Sequence, residues 1–303
     1  MILDRLSYGI SETINLLGEY ADTAKIGWGL PFLVDQKLLS RRVGSYRKNQ
    51  IHVSNGGTLL EICVMRDKES VALNKLASSG FDTIELSEGV VEIPFLTKRR
   101  VAEFAHSHGL RLNVEVGRKN PRNQLGLEET IERISRSMDL DPDSIILEGR
   151  ESGRSVGIYD DAGQIKWEWV DRIQKEFSAT GKIMYEAPQE VQQTELILHI
   201  DSKVNLGNVA MSSLGALETQ RLGLRGDTLG VTTDSKNVEG GPAARFVFYI
   251  IASSGLVDQS KIMNLTGMNR RTIQGALQKL LNHGVIRESP DLKDMRRKMY
   301  SLR

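Results

Sequence analysis

The sequence predicts an α/β chain, a (β/α)8 TIM barrel followed by a small winged helix-turn-helix domain. Three observations carry this reading. Short β-branched and apolar runs recur about eight times over residues 1–206, segments of helical spacing separate them, and several runs close in charged or glycine-containing tips. Ser144-Ile-Ile-Leu-Glu-Gly-Arg-Glu-Ser-Gly153 delivers a carboxylate, a glycine and a guanidinium at one strand end, and Ile84 to Gly89, Val114 to Lys119 and Met184 to Pro188 finish in the same manner. Charged groups at the C-terminal ends of parallel strands are where such a barrel places its chemistry.

In chain order the strands are expected at Met1–Leu3, Thr23–Gly27, Gln50–Ser54, Thr83–Leu86, Arg111–Val116, Ser144–Leu147, Lys182–Tyr185 and Val204–Leu206. Between them lie helical patterns such as Leu127, Ile131, Ile134 and Met138, ahead of the polar Asp139–Asp143 connection. This alternation favours parallel βα units over a sandwich. From Val231 to Pro242 the chain is polar, ends in glycines and proline, and has no periodic apolar face, which reads as a linker. The domains are therefore 1–230, a linker at 231–242, and 243–303.

At 303 residues and 40% hydrophobic content the chain has room for one large domain with a real core and a small one. No apolar run reaches the roughly 18 residues of a membrane span, and Met1-Ile-Leu-Asp4 lacks the basic and apolar regions of a signal peptide. A cytoplasmic protein is expected. The lone Cys63 has no cationic setting in the sequence and is read as core. Charge is uneven: residues 241–303 hold 11 Lys/Arg and 4 Asp/Glu, a net of +7, and against whole-chain totals of 40 and 39 this leaves 29 and 35, or −6, for residues 1–240. A compact basic module is suited to a polyanion.

In that module Ala243–Ser253 reads as an apolar helix, Asp258 as the cap of a second, Thr266-Gly-Met268 as the tight turn, and Asn269 as the cap of a third. Ile273, Ala276, Leu277, Leu280 and Leu281 share one face of the third helix. Arg271, Gln274 and Gln278 then point outward, with Arg270 at the start. Arg and Gln are groove-reading types, because Arg pairs with guanine edges and Gln with adenine edges. Gly284–Arg287 and Lys298–Leu302 read as wing strands carrying Lys293, Arg296, Arg297 and Lys298 for phosphate contact. Duplex DNA is the expected partner.

The barrel's strand ends offer Asp4, Lys25, Glu85, Glu88, Glu115, Arg118, Lys119, Glu148, Arg150, Glu186, Asn205, Arg225 and Asp227. Acids and bases mixed at one mouth suit a small polyanion held by Arg and Lys, with a hard divalent ion such as Mg2+ on carboxylates. Arg150 and Arg225 are oxyanion clamps by type. Gly56-Gly57-Thr58 could bring backbone N–H groups close to phosphate. His106-Ser-His108 precedes a strand, on the barrel floor, and is expected to be inert.

Lys25-Ile-Gly-Trp-Gly29, Gly56-Gly-Thr-Leu59, Glu85-Leu-Ser-Glu-Gly89, Glu115-Val-Gly-Arg-Lys119, Ile146 to Gly153, Tyr185-Glu-Ala-Pro-Gln189, Val204-Asn-Leu206 and Gly223-Leu-Arg-Gly-Asp-Thr228 closely resemble the phosphosulfolactate synthase family of the coenzyme M pathway. The resemblance spans roughly residues 1–230 and implies a barrel fold, a Mg2+ requirement, homo-oligomeric assembly, and addition of sulfite to phosphoenolpyruvate to give (2R)-phospho-3-sulfolactate. It marks Lys119 as the acid that protonates C2. Like-charge repulsion from Arg118 is expected to lower its pKa. Lys25 and Arg118 complete the catalytic set, Glu115, Glu148 and Glu186 are metal-ligand candidates, and Gly57, Thr58, Arg150, Arg225 and Asn205 are substrate-binding candidates. The family usually has Lys, Pro, Asp and Lys where this chain has Arg5, Asn55, Glu88 and Arg118. A second reading is a transcription regulator whose barrel binds a phosphorylated or sulfonated metabolite without turnover.

Overall fold

The computed structural model describes residues 1–6, 10–226, 228, 241–291 and 294–302, without the side chains of Ser253 and 294–296. Most of the expected linker, Asp227, Lys293 and the Arg296 side chain lie outside the described residues. The chain divides into two compact units, Met1–Gln193 with Asn205–Ala216, and Thr194–Val204 with Leu217–Arg303. Among the described residues no helix is long and apolar enough to cross a membrane.

The first unit is a barrel of parallel strands: β1 (Ile2–Asp4), β2 (Thr23–Ile26), β3 (His52–Asn55), β4 (Thr83–Ser87), β5 (Arg111–Val116), β6 (Ser144–Leu147), β7 (Ile183–Glu186), β8 (Asn205–Gly207) and the two-residue β9 (Val209–Ala210). They run in the order β8-β7-β6-β5-β4-β3-β2-β1-β9. Only Asn208 separates β8 from β9. Its left-handed backbone (φ 53) turns the eighth strand from β7 to β1, and the Met1 amine donating to the Leu206 carbonyl (2.6 Å) completes the circuit. Between the strands come α1 (Ile10–Leu17), α2 (Leu30–Leu33), α3 (Gln36–Lys48), α4 (Gly57–Val64), α5 (Glu69–Ser78), α6 (Phe95–Ser107), α7 (Leu127–Met138), α8 (Trp167–Phe177) and α9 (Glu190–His199), and α10 (Leu214–Arg221) follows β9.

Side-chain alternation sorts the strands into two faces. Ile84, Leu86, Leu112 and Val114 are buried on the outer side. Thr83, Glu85 and Ser87 take the other side of β4, in register with Arg111, Asn113 and Glu115 of β5. The lumen is therefore polar where the helix-facing layer is apolar. Between β3 and β4 the ladder has a single residue pair, Ser54 with Thr83. The Asn55 amide extends it, accepting from the Glu85 N–H (3.0 Å) and donating to the Glu85 carbonyl (3.0 Å). Cys63 is buried in α4, and burial pushes its thiol pKa up, as expected for a core cysteine.

In the second unit, α11 (Pro242–Ser254), β10 (Val257–Asp258), α12 (Gln259–Thr266), α13 (Arg270–Asn282), β11 (Ile286–Asp291) and β12 (Asp294–Leu302) follow in order. The strands form an antiparallel sheet, β10-β12-β11. Asp258 caps α12 through the Lys261 N–H (2.7 Å), Gly267 ends it with φ 66, and Asn269 caps α13 through the Thr272 N–H (2.9 Å). Val247, Ile251, Val257, Ile262, Ile273, Leu280 and Ile286 share its core. The third strand, β10, is not among the elements expected from the sequence. Two residues are too few to show alternation.

Candidate active site

Five strand ends deliver ionisable side chains to one buried cluster. Lys25 of β2 places its Nζ 2.9 Å from Glu85 of β4, 3.3 Å from Glu115 of β5 and 2.8 Å from Glu186 of β7. Lys119, in the loop after β5, reaches back to Glu115 at 2.5 Å and also pairs with Glu148, just beyond β6. Glu85, Glu115, Glu148 and Glu186 are all buried. One oxygen from each of Glu115, Glu148 and Glu186 lies within 4.8 Å of the other two.

Glycines make this convergence possible. Gly117 has φ 146, and a Cβ there would stand 2.4 Å from the Glu148 Cβ. A Cβ on Gly149 would stand 2.6 Å from the Glu186 carbonyl oxygen, and the Gly149 N–H instead donates to Glu186 Oε2 (2.9 Å). Each carboxylate stem thus rests against the backbone of the preceding strand end. Gly57, which also lines the cavity described below, serves the same purpose. Its N–H is taken by Glu85 Oε1 (2.9 Å), and a Cβ on it would stand 2.5 Å from Ser87.

Four carboxylates against two ammonium groups leave the cluster two negative charges in excess when all are ionised. The pKa shifts register that excess. Burial raises Glu85 to about 7, with Lys25 pulling it down and Glu115 and Glu186 adding to the rise. Burial, then Glu115 and Glu186, push Glu148 well above the carboxylate range. Burial opposes ionisation of Glu115 as well, but Lys119 and Lys25 outweigh it and hold this group low. Burial lowers both lysines, yet Glu186, Glu85 and Glu115 keep Lys25 high, and Glu115 and Glu148 keep Lys119 high. The excess negative charge thus favours the protonated forms of Glu85 and Glu148.

A cavity of about 160 Å3 opens above it, lined by Lys25, Thr58, Glu115, Lys119, Glu148, Arg150, Glu186 and Asn208 among others. Trp28, Arg150 and Asn208 line it with left-handed backbones, φ 53, 55 and 53. Such conformations cost about 1–3 kcal/mol each and gather at functional sites. The half-buried Arg150 has no ion-pair partner among the described residues, whereas the Asn208 Nδ2 donates to the Arg150 carbonyl (3.4 Å). Trp28 donates its indole N–H to Glu151 at the rim.

Several expected site residues are engaged with partners of their own. Arg118 turns outward to Glu129, 3.7 Å away, so it neither joins the cluster nor depresses Lys119, whose pKa is raised instead. Asn205 opens β8 and donates to the Gly181 and Ile183 carbonyls (3.2 Å each), at the floor end of the strand, and Asn208 takes the place it was expected to hold. Arg225 belongs to the second unit, in a turn closed by the Thr228 N–H on its carbonyl (3.1 Å). Asp4 is clamped by Arg42 at 2.7 and 2.8 Å, and Glu88 pairs with Lys98 and Arg133. Glu85 is more central than its place in the sequence indicated. His106 and His108 lie at the end of α6, on the floor.

In the second unit a groove of about 450 Å3 is lined by Arg270, Gln274 and Gln278 of α13 and by Arg297 and Lys298 of β12, with Asp258 and Glu288 beside them. Lys298 lies 2.8 Å from Glu288 and Arg297 3.8 Å from Asp258. Arg271 is exposed outside that groove.

A (β/α)8 barrel whose C-terminal strand ends gather ammonium, guanidinium and carboxylate groups around a small polar cavity is an enzyme architecture for small anionic substrates. The family model described as (2R)-phospho-3-sulfolactate synthase (ComA) matches residues 1–227. Phosphosulfolactate synthase of Methanocaldococcus jannaschii is 34% identical over 223 residues, 73% of this chain and 88% of that one. The Methanothermobacter thermautotrophicus and Bacillus subtilis proteins of the same name are 36% and 32% identical, over 72% and 69% of this chain and 85% and 82% of theirs. The chain belongs to the phosphosulfolactate synthase family.

Proposed function

We propose that the barrel adds sulfite to phosphoenolpyruvate, forming (2R)-phospho-3-sulfolactate in the cytoplasm as a Mg2+-dependent homo-oligomer, and that residues 243–303 form a winged helix-turn-helix that reads duplex DNA. The carrying observation for the enzyme is the pairing of two lysines with Glu115, Glu148 and Glu186 under one cavity, in a chain of this family. Sulfite sulfur bonds to C3 of phosphoenolpyruvate, the C2–C3 π pair moves into the carboxylate, and a proton must then reach C2. Lys119 stands at the cavity with a full set of protons to give. Arg150, without an ion-pair partner of its own among the described residues, is placed to take a phosphate or sulfite oxyanion.

The three carboxylates fit a hard divalent cation by donor type and by the charge excess of two. Bound there, Mg2+ supplies Lewis-acid stabilisation of the negative charge that develops on the substrate carboxylate. Because burial and the neighbouring carboxylates raise the pKa values of Glu148 and Glu85, cation binding is expected to release protons and to tighten as pH rises through about 7. Titration calorimetry in two buffers of different ionisation heat checks this; identical heats would mean that no proton leaves. Turnover itself is tested by incubating the protein with phosphoenolpyruvate, sulfite and Mg2+. Ligand binding without product would favour the regulator instead.

For the second unit, the support is the groove that brings Arg270, Gln274, Gln278, Arg297 and Lys298 together. The full chain is expected to retard duplex DNA with strong salt dependence. Lys298→Ala should weaken binding across sequences and reduce the salt slope by about 1, whereas mobility unchanged at low salt refutes the DNA reading.

A further inference from the structure

Glu61 lies outside the motifs quoted above, yet four donors converge on its carboxylate. It is fully buried in α4. Its Oε1 accepts from the Ser87 hydroxyl and the Gly89 N–H (3.3 Å), and its Oε2 from the N–H groups of Val90 and Val91 (2.7 Å each). Among the described residues no Lys, Arg or His lies within ion-pair distance of it. Three consecutive backbone donors and a hydroxyl replace a counter-ion, so the charge fixes the path of the chain leaving β4.

That path forms the surface beneath Lys119. The Gly89 carbonyl accepts from the Lys119 N–H at 2.7 Å, and the Lys119 stem lies directly over Gly89. A Cβ on Gly89 would stand 2.7 Å from Lys119 Cγ and 3.0 Å from its Cε. We infer that Glu61 is a positioning residue for Lys119, acting through Gly89, whose backbone it holds and on which the lysine rests. The inference rests on the proposed reaction for its kinetic form, but its geometry does not. A buried amide at position 61 must point its NH2 at a backbone donor, so Glu61→Gln preserves size while breaking the cradle.

Two readouts test it in the full-length protein. The first needs no turnover: the rate at which acetic anhydride labels Lys119, followed by peptide mass spectrometry, should rise several-fold in Glu61→Gln with Lys182, paired with Asp141, unchanged. The second is kinetic, with phosphoenolpyruvate and sulfite: kcat should fall by about tenfold or more, KM for phosphoenolpyruvate should stay within about threefold, and the solvent deuterium isotope effect on kcat should grow as proton delivery slows. Gly89→Ala leaves the Glu61 bonds intact and displaces the lysine from beneath, so it should give the same pattern and decides the matter if Glu61→Gln fails to fold. Unchanged labelling of Lys119 in the folded variants overturns the inference, whether or not the wild type turns over. A wild type without turnover overturns the reaction alone. A fall in kcat matched by an equal rise in KM, with no change in isotope effect, marks Glu61 as merely structural and also overturns it.

Discussion

Lys119→Ala is expected to lower kcat for sulfite addition by about 100- to 10,000-fold, the range that general acid–base groups supply, with little change in KM for phosphoenolpyruvate. Glu115 and Glu148 hold the proton on Lys119, so as it stands the ammonium is a weak acid. A cation held by these carboxylates would add positive charge beside the ammonium and ease release of its proton. Lys119→Arg should not restore turnover, because a guanidinium keeps its proton near neutrality. Steady-state rates with and without Mg2+ check both. Activity within about threefold of wild type in Lys119→Ala would remove the lysine from the proton-transfer step.

Gly117→Ala is expected to damage both stability and turnover. The position combines φ 146 with a Cβ contact of 2.4 Å to Glu148, whose stem cannot withdraw without leaving the cluster. Left-handed or otherwise unfavourable backbone and overpacking together cost about 2–5 kcal/mol, read as a lower midpoint in denaturant. Gly44→Ala is the control. It lies inside α3 with nothing within 4 Å of the added methyl, and should stabilise by about 0.5–1 kcal/mol. Equal effects at the two positions would show that the glycine after β5 is not needed for close approach.

All eight main strands begin and end within two residues of the runs that β-branched composition marks out, because parallel strands covered by helices advertise themselves as apolar stretches. The carboxylate trio was legible for a related reason: each member closes or directly follows a strand, and strand ends of a barrel converge. What sequence could not convey was direction. Arg118 and Lys119 are adjacent, yet leave the loop on opposite sides, so neighbours in sequence are not neighbours in space. Gly56 and Gly57 did signal a close approach, and the groups that approach them within the chain are Gly27, Ser87 and Glu85. A three-residue run does not show which of its residues stands at the mouth, and the turn that brings Asn208 there depends on a left-handed backbone that no spacing announces.

The eighth strand has a bearing on how the molecule is made. Both lysines and all four acids of the cluster precede residue 187, whereas Asn208, the cavity wall beside Arg150, lies within the six residues that also join β7 to β1. A ribosome therefore releases every reactive group of the cluster before the segment that encloses them. Domains form as units once their last element has emerged, so sealing the cylinder and finishing the binding chamber are one event, and a nascent chain stopped short of it carries the reagents without the vessel.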